Sequence, residues 1–179
     1  MRPGFVTVLD IAAADSAWRD HDAVISIEDV ETSRRLRVDP SSGIEQLVLQ
    51  FDDLDFDDGI TAVATASHVA QALDFARRHR GRKLLVHCQA GQCRSPAIAL
   101  AILRDGMGAG REVEAVAELL NIRPIAAPNL LALKLADAAL DCEGALEAAW
   151  LDHERTDEAI ARLRFLRKAA SDLFDKATP

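Results

Sequence analysis

An apolar run that breaks into a short polar loop and restarts at once as a helix restricts this chain more than any other feature. Leu84-Leu85-Val86-His87-Cys88 leads into Gln89-Ala90-Gly91-Gln92-Cys93, and Arg94-Ser95-Pro96 opens a helical pattern. That order reads as a buried strand, a tight turn and a helix N-terminus. The geometry suits an anion: the N–H groups of residues 89 to 94 can turn inward around a tetrahedral oxyanion, and the positive helix end acts on the same point. Gly91 permits a backbone conformation that a side chain would forbid. Arg94 offers a planar fork for two phosphate oxygens. A cysteine at a helix N-terminus beside an arginine gives up its proton more readily than a free thiol. Such a thiolate facing a bound phosphate is a nucleophile facing its electrophile.

The flanking pattern indicates an α/β fold: a central, mostly parallel sheet of about four or five strands flanked by helices, with a helical C-terminal extension. Strands are expected at 5–9, 23–27, 45–51 and 83–87. A short helix is expected at 12–19, starting near Asp15 or Ser16. The residues 60–79 read as a long helix with an apolar face of Ile60, Val63, Ala66, Val69, Ala70, Leu73 and Ala76, and with His68 and His79 on its surface. Helices should follow at 95–104, apolar nearly all round and therefore central, and at 111–121, with Val113, Val116, Ala117 and Leu120 inward. Residues 130–140 form the last helix of the core. Residues 1–141 make one domain. Residues 142–179 add helices at 143–150 and 152–176, whose stripe of Ile160, Leu163, Leu166, Leu173 and Phe174 packs on that domain or on a sister subunit as a homodimer contact.

Asp52-Asp53-Leu54-Asp55-Phe56-Asp57-Asp58-Gly59 places five carboxylates in seven residues. As a solvated loop ahead of a helix, with Asp58 assisting the helix N-terminus, most of them are accounted for. A calcium loop fits poorly, because Ala64 stands where a bidentate Glu belongs. An aspartate-nucleophile phosphatase would carry its acidic motif after the first strand, and this run lies too late. Thiolate displacement of an alkoxide or phenoxide does, however, need an acid for the leaving oxygen.

A net charge of −8 argues against a general nucleic-acid binder. The three cysteines, Cys88, Cys93 and Cys142, fit a reducing compartment better than a disulfide framework. No segment has the roughly 18 apolar residues that span a bilayer, and the start lacks a signal-peptide run. The expected location is the cytoplasm. The five histidines show no metal spacing, and neither metal nor cofactor is expected.

The pattern His87-Cys88-x5-Arg94-Ser95 resembles the signature of the protein tyrosine phosphatase superfamily, most closely its compact dual-specificity branch and bacterial relatives. A second stretch, Arg123-Pro124-Ile125-Ala126-Ala127-Pro128-Asn129, is similar to the Arg-x-x-x-x-Pro-Asn run those small phosphatases carry before a last core helix. The resemblance implies phosphomonoester hydrolysis through a cysteinyl-phosphate. It makes Cys88 the nucleophile and residues 89–93 (Gln89, Ala90, Gly91, Gln92, Cys93) with Arg94 the phosphate cradle. His87 holds the loop, and Ser95 eases departure of the sulfur. Its general acid is an aspartate some thirty-odd residues before the cysteine. Asp53 fits best, with Asp52, Asp55 and Asp57 as alternatives. Cys93 stands where a redox partner could trap oxidised Cys88 as a disulfide. Expected substrates are phosphorylated proteins or small phosphomonoesters. Phosphoinositide phosphatases tend to carry lysines in this loop, where Gln89 and Gln92 stand here. Rivals are a catalytically inactive phospho-binding relative, and rhodanese or arsenate-reductase chemistry, against which Arg94-Ser95 and the acidic run both argue.

Overall fold

The computed structural model describes residues 5–31 and 35–177, with side chains as far as Arg167. The chain's first four residues, the middle of the charged 31–37 segment, and the side chains of Leu173 and Phe174 lie outside the described residues.

Four strands form one sheet: β1 (Val6–Asp10), β2 (Ala23–Glu28), β3 (Glu45–Gln50) and β4 (Leu84–Cys88). Their order is β1-β4-β2-β3, and every described pairing is parallel. The register sets Asp10 opposite Cys88 and Ser26 opposite His87. The carboxyl ends of the strands therefore finish together, which is where open parallel sheets build their sites.

The two faces of the sheet are covered unequally. Val24 and Leu85 point to one side, where Ala14 and Trp18 of the segment after β1 and Leu36 and Val38 close a small cluster. The alternate residues Ala23, Ile25, Ile27, Val86 and Cys88 face the main core. Helix α1 (Ile11–Ala17) lies on the first side, its N-terminus capped by Asp10, whose Oδ1 accepts the Ala12 and Ala13 N–H groups at 3.0 and 2.9 Å. Asp10, rather than Asp15 or Ser16, starts this helix.

On the second face lie α2 (Ala66–Arg78), α3 (Arg94–Met107), α4 (Glu112–Ile122), α5 (Leu130–Ala139) and α6 (Ala145–Glu154), followed by α7 (Glu158–Ala177). Helix α3 is central as expected: residues 94 to 104 are all buried.

Three local expectations change. Helix α2 starts at Ala66, because Thr65 caps it in a reciprocal box with His68. Asp58 instead closes its own turn on the Ile60 and Thr61 amides and the Thr61 hydroxyl, and this local bonding competes with helix. Ile60 is left exposed, as are Ala66 and Ala70. His79 is buried rather than on the surface, its ring tilted against Phe75 with its Nδ1 2.9 Å from the Phe75 carbonyl. Helix α4 buries Ala115, Val116 and Leu119 and exposes Val113 and Ala117. Its orientation is set by Glu112, which turns inward to accept from Arg104 Nε at 3.1 Å.

Past the expected core, the chain keeps packing on it. Asp137 in α5 accepts the N–H groups of Gly144, Leu146 and Glu147 at 2.7, 2.8 and 3.2 Å, which anchors the start of α6. Leu146, Trp150 and Ile160 join the main core. Leu166, expected in the same stripe, is exposed.

Candidate active site

The loop between β4 and α3 is shaped by where its carbonyls go. The Gln89 carbonyl accepts from Ile11 N–H at 3.3 Å, Gln92 from Ala127 N–H at 2.8 Å, and Cys93 from Asn129 N–H at 3.1 Å. The Ala90 and Gly91 carbonyls are both taken by the Arg123 guanidinium, at 3.2 and 2.9 Å. In a trans peptide the C=O of one residue and the N–H of the next point in opposite directions. Five carbonyls drawn outward therefore aim the N–H groups of residues 90 to 94 at the concave side. Gly91 has a φ of +63°, and a Cβ there would sit 2.6 Å from the Asp10 nitrogen and the Leu9 carbonyl carbon. Only glycine lets the loop lie this close to β1.

Cys88 is buried at the mouth of this loop, and the Ser95 hydroxyl donates to its Sγ at 3.1 Å. Arg94 lies beneath, 3% exposed, with Nη1 donating to the Phe51 carbonyl and to Asp29 Oδ1, each at 2.8 Å. Its Nε is buried without a protein partner. A guanidinium held at one nitrogen, with another N–H unpaired in a buried loop, is set up to receive an oxyanion.

His87 supports the loop from below. Val38 N–H donates to Gln46 Oε1, which orients that amide so its Nε2 donates to Ser26 Oγ at 2.7 Å. Ser26 Oγ in turn shares a hydrogen bond with His87 Nε2, also at 2.7 Å. The ring is held at Nε2, and burial favours its neutral form. Burial pushes its pKa down from 6.5 to about 4, partly countered by the Cys88 backbone and Glu28. The stability this neutral ring contributes is complete above pH 6.5 and is lost as pH falls through about 4. Between pH 7.5 and 4.5, urea unfolding of the wild type should lose about 2–3 kcal/mol more than that of His87→Gln. Parallel pH dependence in the two proteins would contradict this assignment.

The acidic run divides by function in the fold. Asp52 accepts Val30 N–H at 3.2 Å, tying the end of β3 to the end of β2. Asp57 and Asp58 serve their own turns. Asp53 and Asp55 point toward the α5 N-terminus and α7. Asn129 fixes this region: its Oδ1 caps α5 at Ala132 N–H, so its Nδ2 donates to Asp53 Oδ1 at 2.9 Å and to the Leu54 carbonyl at 2.7 Å. Asp55 accepts Leu130 N–H at 2.9 Å. Because Asn129 N–H also holds the Cys93 carbonyl, one residue links the acidic run to the 89–94 loop.

Cys93 faces that junction. Burial first, and then the Asp53 carboxylate, push its thiol up to about 12, and Arg167 Nη1 lies 2.6 Å from its sulfur.

Asp29, Arg164 and Arg167 are the site residues that motif reading did not single out. Asp29 carried one signal, its place just past the carboxyl end of a parallel strand. Among the described residues, no cluster of His, Cys, Asp or Glu could hold a metal ion, and no helix is long and apolar enough to cross a membrane.

No family model matches the chain, and no curated protein does. Solved structures do. The human tyrosine phosphatase-like serine/threonine/tyrosine-interacting protein aligns at a TM-score of 0.61 and 19% identity, over 84% of this chain and 95% of that one. DUSP15 aligns at 0.58 and 23%, over 82% and 92%, and Tk-PTP in its active form at 0.57 and 24%, over 77% and 92%. The fold is thus that of the tyrosine and dual-specificity phosphatases.

Proposed function

We propose that this protein hydrolyses phosphomonoesters through a cysteinyl-phosphate intermediate. The observation that carries the reading is the loop of residues 89–94, with its carbonyls drawn outward and the buried Arg94 Nε unpaired beneath. The Cys88 thiolate attacks phosphorus in line, forming S–P as the P–O bond to the leaving group breaks. The loop amides and Arg94 hold the equatorial oxygens, whose charge grows in the transition state. Asp53 protonates the leaving oxygen. Water, deprotonated by Asp53, then attacks phosphorus, and the S–P bond breaks to release inorganic phosphate. The Ser95 hydroxyl stabilises the departing thiolate. The positive field comes from Arg94, the amides and the α3 N-terminus, so the scheme calls for no metal. Asp53 is favoured over Asp52, Asp55 and Asp57 because those three are committed to backbone groups of the loop and its neighbours.

The test is hydrolysis of para-nitrophenyl phosphate by reduced protein in EDTA. Turnover is expected in the wild type, with a loss of about 10²-fold or more in Asp53→Asn, the range for a displaced general acid. Phosphate binding without turnover would instead make the protein a phospho-binding relative.

A further inference from the structure

Helix α7, beyond the expected core, reaches back to the acid loop. Ile160 and Leu163 seat it against the core, and the same face carries Arg164 and Arg167 one and two turns on. Arg164 donates to both Asp55 oxygens at 3.1 Å, to the Pro128 carbonyl at 2.5 Å and to Glu154 at 3.0 and 3.1 Å. Arg167 Nη2 donates to Asp53 Oδ1 at 3.0 Å and to the Asp53 carbonyl at 2.9 Å. Its Nη1 lies 3.3 Å from Asp53 Oδ2 and 2.6 Å from Cys93 Sγ, and its Nε is 3.5 Å from Asp55.

We propose that Arg167, backed by Arg164, is a positioning residue for the reaction above: it joins the acid loop to the phosphate loop and fixes the Asp53 carboxyl group in place. The inference rests on Asp53 being the general acid. Asp53 Oδ1 is filled by Asn129 and Arg167 at normal hydrogen-bond lengths. Oδ2 takes the longer contact, 3.3 Å from Arg167 Nη1, so the two guanidinium nitrogens and Asn129 together fix the plane of the carboxyl group. Two cations on one helix face also offset the mutual repulsion of Asp53 and Asp55, which would otherwise open the loop. Orientation of this kind matters most for esters whose leaving group needs the proton.

The test uses the full chain and two esters: phenyl phosphate, whose phenol resembles tyrosine with a pKa of about 10, and 2,4-dinitrophenyl phosphate, whose leaving group needs no acid. In Arg167→Met, kcat/KM for phenyl phosphate should fall about 10-fold further than for the dinitrophenyl ester, as a displaced acid requires. Arg167→Lys should restore part of that gap. Arg167→Met added to Asp53→Asn should cost nothing more on phenyl phosphate, since both act through one group. Amide exchange across 52–59 should quicken in Arg167→Met whether or not substrate is turned over. Equal losses on both esters, additive losses with Asp53→Asn, or unchanged exchange would overturn the proposal. A wild type without Cys88-dependent turnover would remove the catalytic reading and this inference with it. An active wild type with an indifferent Arg167→Met would remove the inference alone.

Discussion

Serine at position 88 should leave no measurable phosphatase activity, a loss of about 10⁴-fold or more. The substitution changes one atom and keeps the loop, so the effect isolates the chemistry of the nucleophile. A serine hydroxyl becomes a competent nucleophile only when a neighbouring base takes its proton. Among the described residues, no base hydrogen-bonds Cys88. Its hydroxyl neighbour Ser95 donates toward the sulfur. His87, the adjacent histidine, has its Nε2 committed to Ser26 and its pKa pushed down to about 4. The Cys88→Ser protein should still bind inorganic phosphate or tungstate within a few-fold of the wild type, because amides and Arg94 provide the affinity. Titration calorimetry alongside the rate assay separates the two effects. Retained turnover in Cys88→Ser would exclude the cysteinyl-phosphate route.

Arg94→Lys should cost about 10²–10³-fold in kcat despite conserving charge. Arg94 divides its donors: Nη1 holds the Phe51 carbonyl and Asp29, while Nε remains for the ligand. A lysine ammonium is a single point and cannot serve both ends. If it reaches the phosphate, Asp29 and the Phe51 carbonyl lose their partner next to a site where Arg94 is only 3% exposed. If it stays with those anchors, the ligand loses its fork. Asp29→Asn keeps a hydrogen-bond acceptor at the anchor and should cost less, about 10-fold. Steady-state rates for the two variants measure the difference. A larger loss in Asp29→Asn than in Arg94→Lys would contradict this division of roles.

How much of this was legible from the chain varies with the range of the interaction. Strand, loop and helix around Cys88 were readable because an apolar run, a glycine and a helix start are local signals. The strands at 45–50 and 84–88 and the central helix followed from burial patterns of the same kind. Where reading failed, a short-range contact outbid the pattern. Thr65 and His68 form a cap that periodicity across 60–79 does not register, and buried Glu112 turns α4 by about one residue. His79 looked like a surface residue in a basic helix end, yet its ring packs on Phe75.

The acid loop shows the same division most clearly. Five aspartates in one run are chemically equivalent on paper, and counting back from Cys88 favours Asp53 without distinguishing what its neighbours do. The fold separates them through partners that lie far off along the chain: Val30 for Asp52, Asn129 and Arg167 for Asp53, Leu130 and Arg164 for Asp55.

By itself, then, the order of residues determined the strand, the turn and the helix around Cys88 and which reactive side chains they carry, because each of these depends on neighbours within a few positions. Only the tertiary structure decided the sheet order, the partners that close the 89–94 loop, and that α7 returns to Asp53 and Asp55, because those last pairings join residues more than a hundred positions apart, and nothing local in the chain records such a contact.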